Sequence, residues 1–404
     1  MPELFLTIFF ISILLFFLGT GIWVALSMVG VSTIGMLLFT SRPVGDAMAT
    51  TIWGTSSSWT LTALPLFVWM GEILFRTKLS ENLFKGLAPW MSRLPGGLIH
   101  VNIVGCALFA AISGSSAATV ATVGKMSIPE LRKRNYPEKL LLGSLAGSGT
   151  LGLLIPPSII LIIYGVTVQE SIAKLFIAGI IPGIMIAIFF MFYVIGWSIL
   201  NKDIMPQTKE TFSFSQKIKD SGQLIPVIVL ITAVIGSIYV GIATATEAAS
   251  LGVVGALILS FFQKSLNKES FKLSLLGATK TSCMIAFILA GSSFLSLAMG
   301  FTGLPRNLAI WIQEMNLSPY VLIIVLTIFY IILGMFLDGI SAVVLTMAII
   351  EPMIRQAGFD MIWFGVFLVI VVEMAQITPP VGFNLFVLQG MANKDMGFIA
   401  RSAF

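Results

Sequence analysis

The sequence predicts an all-α polytopic membrane protein built as an inverted repeat, and three observations carry that reading. Of its 404 residues 57% are hydrophobic and only 10% charged, which leaves no room for a soluble catalytic domain. Apolar segments of about 20 residues recur along nearly the whole chain, matching helices that cross hydrocarbon and not the alternating ~10-residue signal of a barrel. Two stretches then break the pattern in the same way, GTLGLLIPPSII at 149–160 and EMAQITPPVGFNLF at 373–386, each with paired prolines inside an apolar run. A proline removes a backbone donor and disfavours helix in the residue before it, so a break at membrane depth must face protein, ions or a wet cavity.

Taken in order, 4–18, 21–39 and 58–75 read as spans. The first has no basic leader, Glu3 being its only early charge, and is expected to be retained. Arg76, Lys78, Lys85 and Arg93 mark an amphipathic connector. The stretch 125–139 holds five basic and two acidic residues, and 202–219 and 264–272 are rich in lysine, so all three should face the cytoplasm. Spans 140–165 and 171–200 then form one out-and-back pair, and 224–241 with 247–262 another. With the connector cytoplasmic, the N-terminus lies outside. Segment 97–124 must begin and end inside, which makes it a re-entrant hairpin whose tip is Ser113, Gly114, Ser115 and Ser116 in AAISGSSAATVAT. The alternative for that stretch is a small-residue helix seam.

The second half repeats the plan in the opposite orientation. Residues 271–300 form a span, 306–318 a connector, 320–352 a second hairpin centred on GMFLDGISAVVLT, and 361–390 a second broken helix. Gly114 precedes Pro156 by 42 residues and Gly339 precedes Pro379 by 40, and the hairpins end in related turns, MSIPEL at Met126 and AIIEPM at Ala348. The chain therefore divides into a first repeat over 1–200, a cytoplasmic linker over 201–223 and a second repeat over 224–404. By the repeat's own logic a final span should follow 396–404, so either the natural chain extends beyond Phe404 or this copy of the repeat is truncated. Inverted repeats with paired broken helices point to a secondary transporter whose site lies where the breaks meet.

The linked stretches AAISGSSAATVATVGKMSIPEL, GSLAGSGTLGLLIPPSIILIIYG, FLDGISAVVLT and ITPPVGFNLFVLQG resemble the large membrane subunit of TRAP transporters, the tripartite ATP-independent periplasmic family, over residues 4–404. The resemblance implies an elevator-type ion-transporter fold with scaffold and transport domains, in a bacterial inner membrane. It also implies sodium-coupled uptake of an organic acid anion, a small four-helix membrane subunit and a periplasmic substrate-binding protein.

A broken helix presents free N-terminal amides and a positive dipole end, while its unwound carbonyls and the facing hairpin's hydroxyls can replace the water around a sodium ion. About two sodium sites are expected from the repeat. The first would draw carbonyl or hydroxyl oxygens from Ser113, Gly114, Ser115 and Ser116 with Gly149, Thr150 and Pro156. The second would use Gly339 and Ser341 with Met374, Gln376 and Thr378. For Ser115 and Thr150 the competing reading is a hydroxyl bonded back to its own helix. No Lys or Arg falls within either tip or break centre, so helix N-termini and bound sodium must offset an anion, with Ser158 and Asn384 as polar substrate contacts or, alternatively, as packing residues.

Acids in a membrane need a partner. Asp338 is read as a helix cap or an aid to a cation, Glu373 as orienting the second break through hydrogen bonds, and Glu72 and Glu247 as interfacial or paired with groups such as Arg76. His100 is read as making an interfacial hydrogen bond. Cys106 and Cys283 are isolated, and one histidine with two separated cysteines supplies neither a metal set nor a catalytic pair. Lipid contact accounts for the many Phe and Trp residues, with Trp53, Trp59 and Trp69 as anchors or as contacts for the small subunit. The net charge of +5 belongs to cytoplasmic loops and implies no nucleic acid. A self-sufficient dicarboxylate/sodium symporter is the nearest alternative function.

Overall fold

Helices are the regular elements of the computed structural model, which describes residues 2–77, 79–206, 213–303, 318–379 and 382–403. Pro2–Gly19 and Val24–Phe39 correspond to the first two predicted spans, and Ile225–Tyr239, Ala245–Phe262 and Lys268–Thr302 to those opening the second half. The predicted span at 58–75 is a 3-10 turn, Trp59–Thr62, running into Ala63–Phe75. It is preceded by a helix the sequence reading passed over, Val44–Ser56, which meets it at 53°. No residue of Val44–Ser56 is fully buried, and its apolar face is one short turn, Val44, Ala47 and Met48, packed on Met36, Phe294 and Ala298; Thr50 and Thr51 return their hydroxyls to Asp46 O and Ala47 O, each at 2.7 Å. Among the described residues five helices are long and apolar enough to cross a membrane, or up to seven if each of two bent pairs is one span.

Lys268–Thr302, about 52 Å long at 1.5 Å per residue, is the spine of one group of helices. Against it pack Val24–Phe39, Val44–Ser56 and Ala63–Phe75, and the last of these also meets Ala245–Phe262, which pairs with Ile225–Tyr239. Trp69 Nε1 donates to Ser274 Oγ at 3.3 Å, and Gly277 leaves room for the Glu72 carboxylate, which pairs with Arg76 as read from the sequence.

The second group contains Ile99–Ser113, Ser116–Lys133, Glu138–Leu154, Ile159–Val168, Gly339–Gln356, Met361–Gln376, Phe383–Ala392 and Met396–Ala403, with Pro319–Gly334 laid on Met361–Gln376. Ile172–Leu200 runs along this group. Its buried positions, Ile172, Leu175, Phe176, Gly179 and Gly183, follow helical spacing, while Ile181, Phe189 and Phe192 face outward. Both faces are apolar, so only the small residues mark the packed side.

The predicted amphipathic connector is the helix Leu79–Met91. It is tied to Phe214–Ser221 of the predicted linker: Trp90 Nε1 donates to Ser221 Oγ at 2.7 Å, and Lys217 Nζ sits 5.2 Å from the centre of the Trp90 ring. The second predicted connector, 306–318, lies outside the described residues except for Ser318, whose hydroxyl caps Pro319–Gly334.

Candidate functional site

The first hairpin turns where Ile99–Ser113 reaches Gly114, whose φ of +59° is left-handed and whose N–H returns to Ala110 O at 3.1 Å. Ser115 then caps Ser116–Lys133, accepting from Ala118 N at 3.5 Å. Hydroxyls tie the tip together. Ser113 Oγ is 2.9 Å from Thr119 Oγ1, which donates to Ser115 O at 2.7 Å. Thr119 was absent from the sequence reading, although it stands one helical turn beyond Ser115.

The first broken helix stops at Leu154, passes Ile155 and a cis Pro156–Pro157 bond, and restarts at Ile159. Ser158 spans the gap, donating its hydroxyl to Leu153 O and accepting from Leu161 N at 3.3 Å. The tip reaches this break directly, because Ile159 N donates to Gly114 O at 3.3 Å. A Cβ on Gly114 would lie 2.6 Å from Pro157 O, and one on Gly152 would lie 2.6 Å from Ser115 O. Gly152 is thus a close-contact residue that the sequence reading did not select. Gly149 faces Val120 of the hairpin, and the buried Thr150 returns its hydroxyl to Gly147 O at 2.7 Å. Thr150 therefore adopts the back-bonded alternative, leaving its carbonyl as the atom to consider. Ser116 is buried beside the tip.

In the second half of the chain Asp338 is the cap of Gly339–Gln356, its Oδ2 accepting from Ile340 N at 3.1 Å and Ser341 N at 3.2 Å. A Cβ on Gly339 would meet Val372 Cγ1 at 2.8 Å, Ile160 Cδ1 at 3.4 Å and Gln376 Nε2 at 3.6 Å. The second tip therefore touches the second broken helix and, through Ile160, the first. Met361–Gln376 ends at Ile377, Thr378 and Pro379, and the helix resumes at Phe383 after Gly382, whose φ is +52°. Pro380 of the predicted pair lies outside the described residues.

Polar groups at this second break are under-satisfied. Ser341 is buried, Thr378 returns its hydroxyl to Met374 O at 2.7 Å, and Met374 is half exposed. Gln376 Nε2, Glu373 Oε1 and both amide atoms of the fully buried Asn384 have no hydrogen-bond partner among the described residues. The hydrogen bonds expected of Glu373 are therefore missing at that oxygen. Phe383–Ala392 has no side-chain cap, whereas Ser158 caps Ile159–Val168. Burying an amide without a partner costs roughly 1–3 kcal/mol, so each of these atoms would gain from a polar partner. No group of three His, Cys, Asp or Glu side chains among the described residues could hold a transition metal.

A cavity of about 450 Å³ opens elsewhere, between Glu138–Leu154, Ile172–Leu200 and Met396–Ala403. Its wall is mostly apolar and reaches the second break only at Ile377, so the convergent polar chemistry belongs to the tips and breaks and not to this cavity.

The family described as "Tripartite ATP-independent periplasmic transporter, DctM component" matches residues 9–403. The chain belongs to the TRAP transporter large permease family. The resemblance read from the four linked motifs is borne out. A C4-dicarboxylate TRAP transporter large permease protein of Pseudomonas aeruginosa is 32% identical over 371 residues, covering 91% of this chain and 86% of the relative. A 2,3-diketo-L-gulonate TRAP large permease of Escherichia coli is 31% identical, covering 88% and 84%. The solved Alcanivorax borkumensis YdaH transporter superposes with a TM-score of 0.65 at 10% identity, covering 94% of this chain and 93% of its own, and so shares the fold. This TRAP large permease is accordingly a multi-pass membrane transporter subunit.

Proposed function

We propose that this subunit imports an organic acid anion with sodium, the anion being delivered by a periplasmic binding protein and the permease working beside a small membrane subunit in the bacterial inner membrane. The observation that carries the proposal is the convergence of two hairpin tips on two helix breaks, with unpartnered buried polar atoms at the second. The carbonyls of the tips and breaks, with the hydroxyl oxygens of Ser115 and Thr378, supply ligands for sodium, a hard cation, at the residues named from the sequence. The uncapped start of Phe383–Ala392 together with Asn384 favours the anion at the second break. The names of the Pseudomonas aeruginosa and Escherichia coli relatives, C4-dicarboxylate and 2,3-diketo-L-gulonate, support a small organic anion as cargo.

Re-entrant geometry is supported by the tight turn at Gly114, after which Ser116–Lys133 packs back on Ile99–Ser113. The two packing groups supply a scaffold and a moving body for an elevator, with the N-terminus periplasmic.

Uptake into proteoliposomes holding the permease and its small subunit, with binding protein outside, tests the reading. An imposed sodium gradient should drive accumulation, and Ser115→Ala and Thr378→Ala should each raise the half-saturating sodium concentration several-fold. Unchanged sodium curves in both variants remove those two hydroxyls from the sites, and flux without binding protein favours the self-sufficient symporter.

A further inference from the structure

The turns MSIPEL and AIIEPM lead into a second pairing between the repeats, one that involves neither tips nor breaks. Arg132 stands at the end of Ser116–Lys133, and its Nη2 donates to Ala392 O at 2.6 Å. Ala392 is the last residue of Phe383–Ala392, the second half of the other repeat's broken helix. Arg355 stands at the end of Gly339–Gln356, and its Nη2 donates to Val168 O at 3.1 Å. Val168 is the last residue of Ile159–Val168, again in the opposite repeat. Each arginine follows an intrahelical proline, Pro129 or Pro352, by three residues. Both capped helices end in a left-handed residue, Gln169 with φ +58° and Asn393 with φ +55°.

Carboxylates aim each guanidinium. Glu138 accepts from Arg132 Nε at 3.0 Å and from its Nη2, while Glu351 accepts from Arg355 Nε at 2.9 Å with Glu170 at 3.9 Å. The last carbonyls of a helix lack intrahelical donors and carry the negative end of its dipole. A guanidinium has enough planar donors to meet a carboxylate and such a carbonyl together, which an ammonium does with less geometric control. The ion pairs are partly exposed, so their attraction alone is modest and the carbonyl cap is the distinctive contact.

We infer that Arg132 and Arg355 are a crossed pair of positioning residues, each hairpin holding the far end of the other repeat's broken helix so that the two tip-and-break units keep a common register. Disturbing Arg132 is then felt at the second break and disturbing Arg355 at the first. The functional consequence rests on the transport reading; the structural claim does not, and its test needs no transported solute.

Hydrogen exchange measured by mass spectrometry on the full chain in lipid nanodiscs with its small subunit decides it. Arg132→Gln should speed exchange in 383–392 about tenfold and leave 159–168 unchanged, and Arg355→Gln should do the reverse. Arg132→Lys and Arg355→Lys, which keep the charge and a donor, should show smaller rises at the same crossed positions, and they stand in should either glutamine variant fail to fold. Faster exchange confined to the variant's own hairpin, or spread equally over both broken helices, overturns the inference.

Discussion

Gly114→Ala should cut uptake by the reconstituted transporter sharply while leaving the chain in the membrane. A side chain at φ +59° costs about 1–2 kcal/mol by itself, because Cβ crowds the following carbonyl in the left-handed region. The larger penalty is contact. The added carbon would lie 2.6 Å from Pro157 O and 3.1 Å from Ile159 N, both backbone atoms that no rotamer change can clear. The tip must retreat, and with it goes the hydrogen bond from Ile159 N to Gly114 O. Since each 1.4 kcal/mol is a factor of ten, a fall in uptake of at least about tenfold is expected. Gly105→Ala in the same helix is the control, since its Cβ would find nothing nearer than 3.6 Å and alanine favours helix. Wild-type uptake by Gly114→Ala would show that the tip-to-break contact does not matter for transport.

Asn384→Leu should cut uptake about a hundredfold and leave the melting temperature of the solubilised protein unchanged or higher. Asn384 is fully buried with both amide atoms unpartnered among the described residues. An amide serving only to pack would be improved by an apolar group of similar shape, because the desolvation cost disappears and no hydrogen bond is lost. Falling activity at constant or rising stability therefore separates a ligand contact from a packing role. Ser158, its counterpart past the first proline pair, should behave differently. Its hydroxyl already joins Leu153 O to Leu161 N, so Ser158→Ala should lower stability and uptake together. Uptake retained by Asn384→Leu would return that residue to the packing alternative.

The membrane class, the family and most helix positions could be read from the chain because their causes are local. A run of apolar residues long enough for hydrocarbon is a span wherever it occurs, and paired prolines break a helix whatever lies beside it. The same logic located Gly114, Asp338 and the Glu72–Arg76 pair, since a left-handed turn, an N-cap and an i,i+4 ion pair depend on neighbours in sequence. Val44–Ser56 escaped because its apolar face is a single turn, Val44, Ala47 and Met48, too short to display a period against the polar residues that follow.

What only the tertiary structure decided is which polar atoms are already committed and which remain free. Thr150 and Thr378 return their hydroxyls to their own helices, Ser158 bridges its break, and Asn384 keeps both amide atoms open, yet all four are similar polar residues near a proline pair. Nor does local pattern place Gly152 against Ser115, Gly339 against Ile160, or Arg132 on a carbonyl 260 residues away. The physical reason is that sequence dictates a residue's capacity to bond through its own chemistry and its near neighbours, whereas the partner that uses that capacity is brought by packing between distant helices.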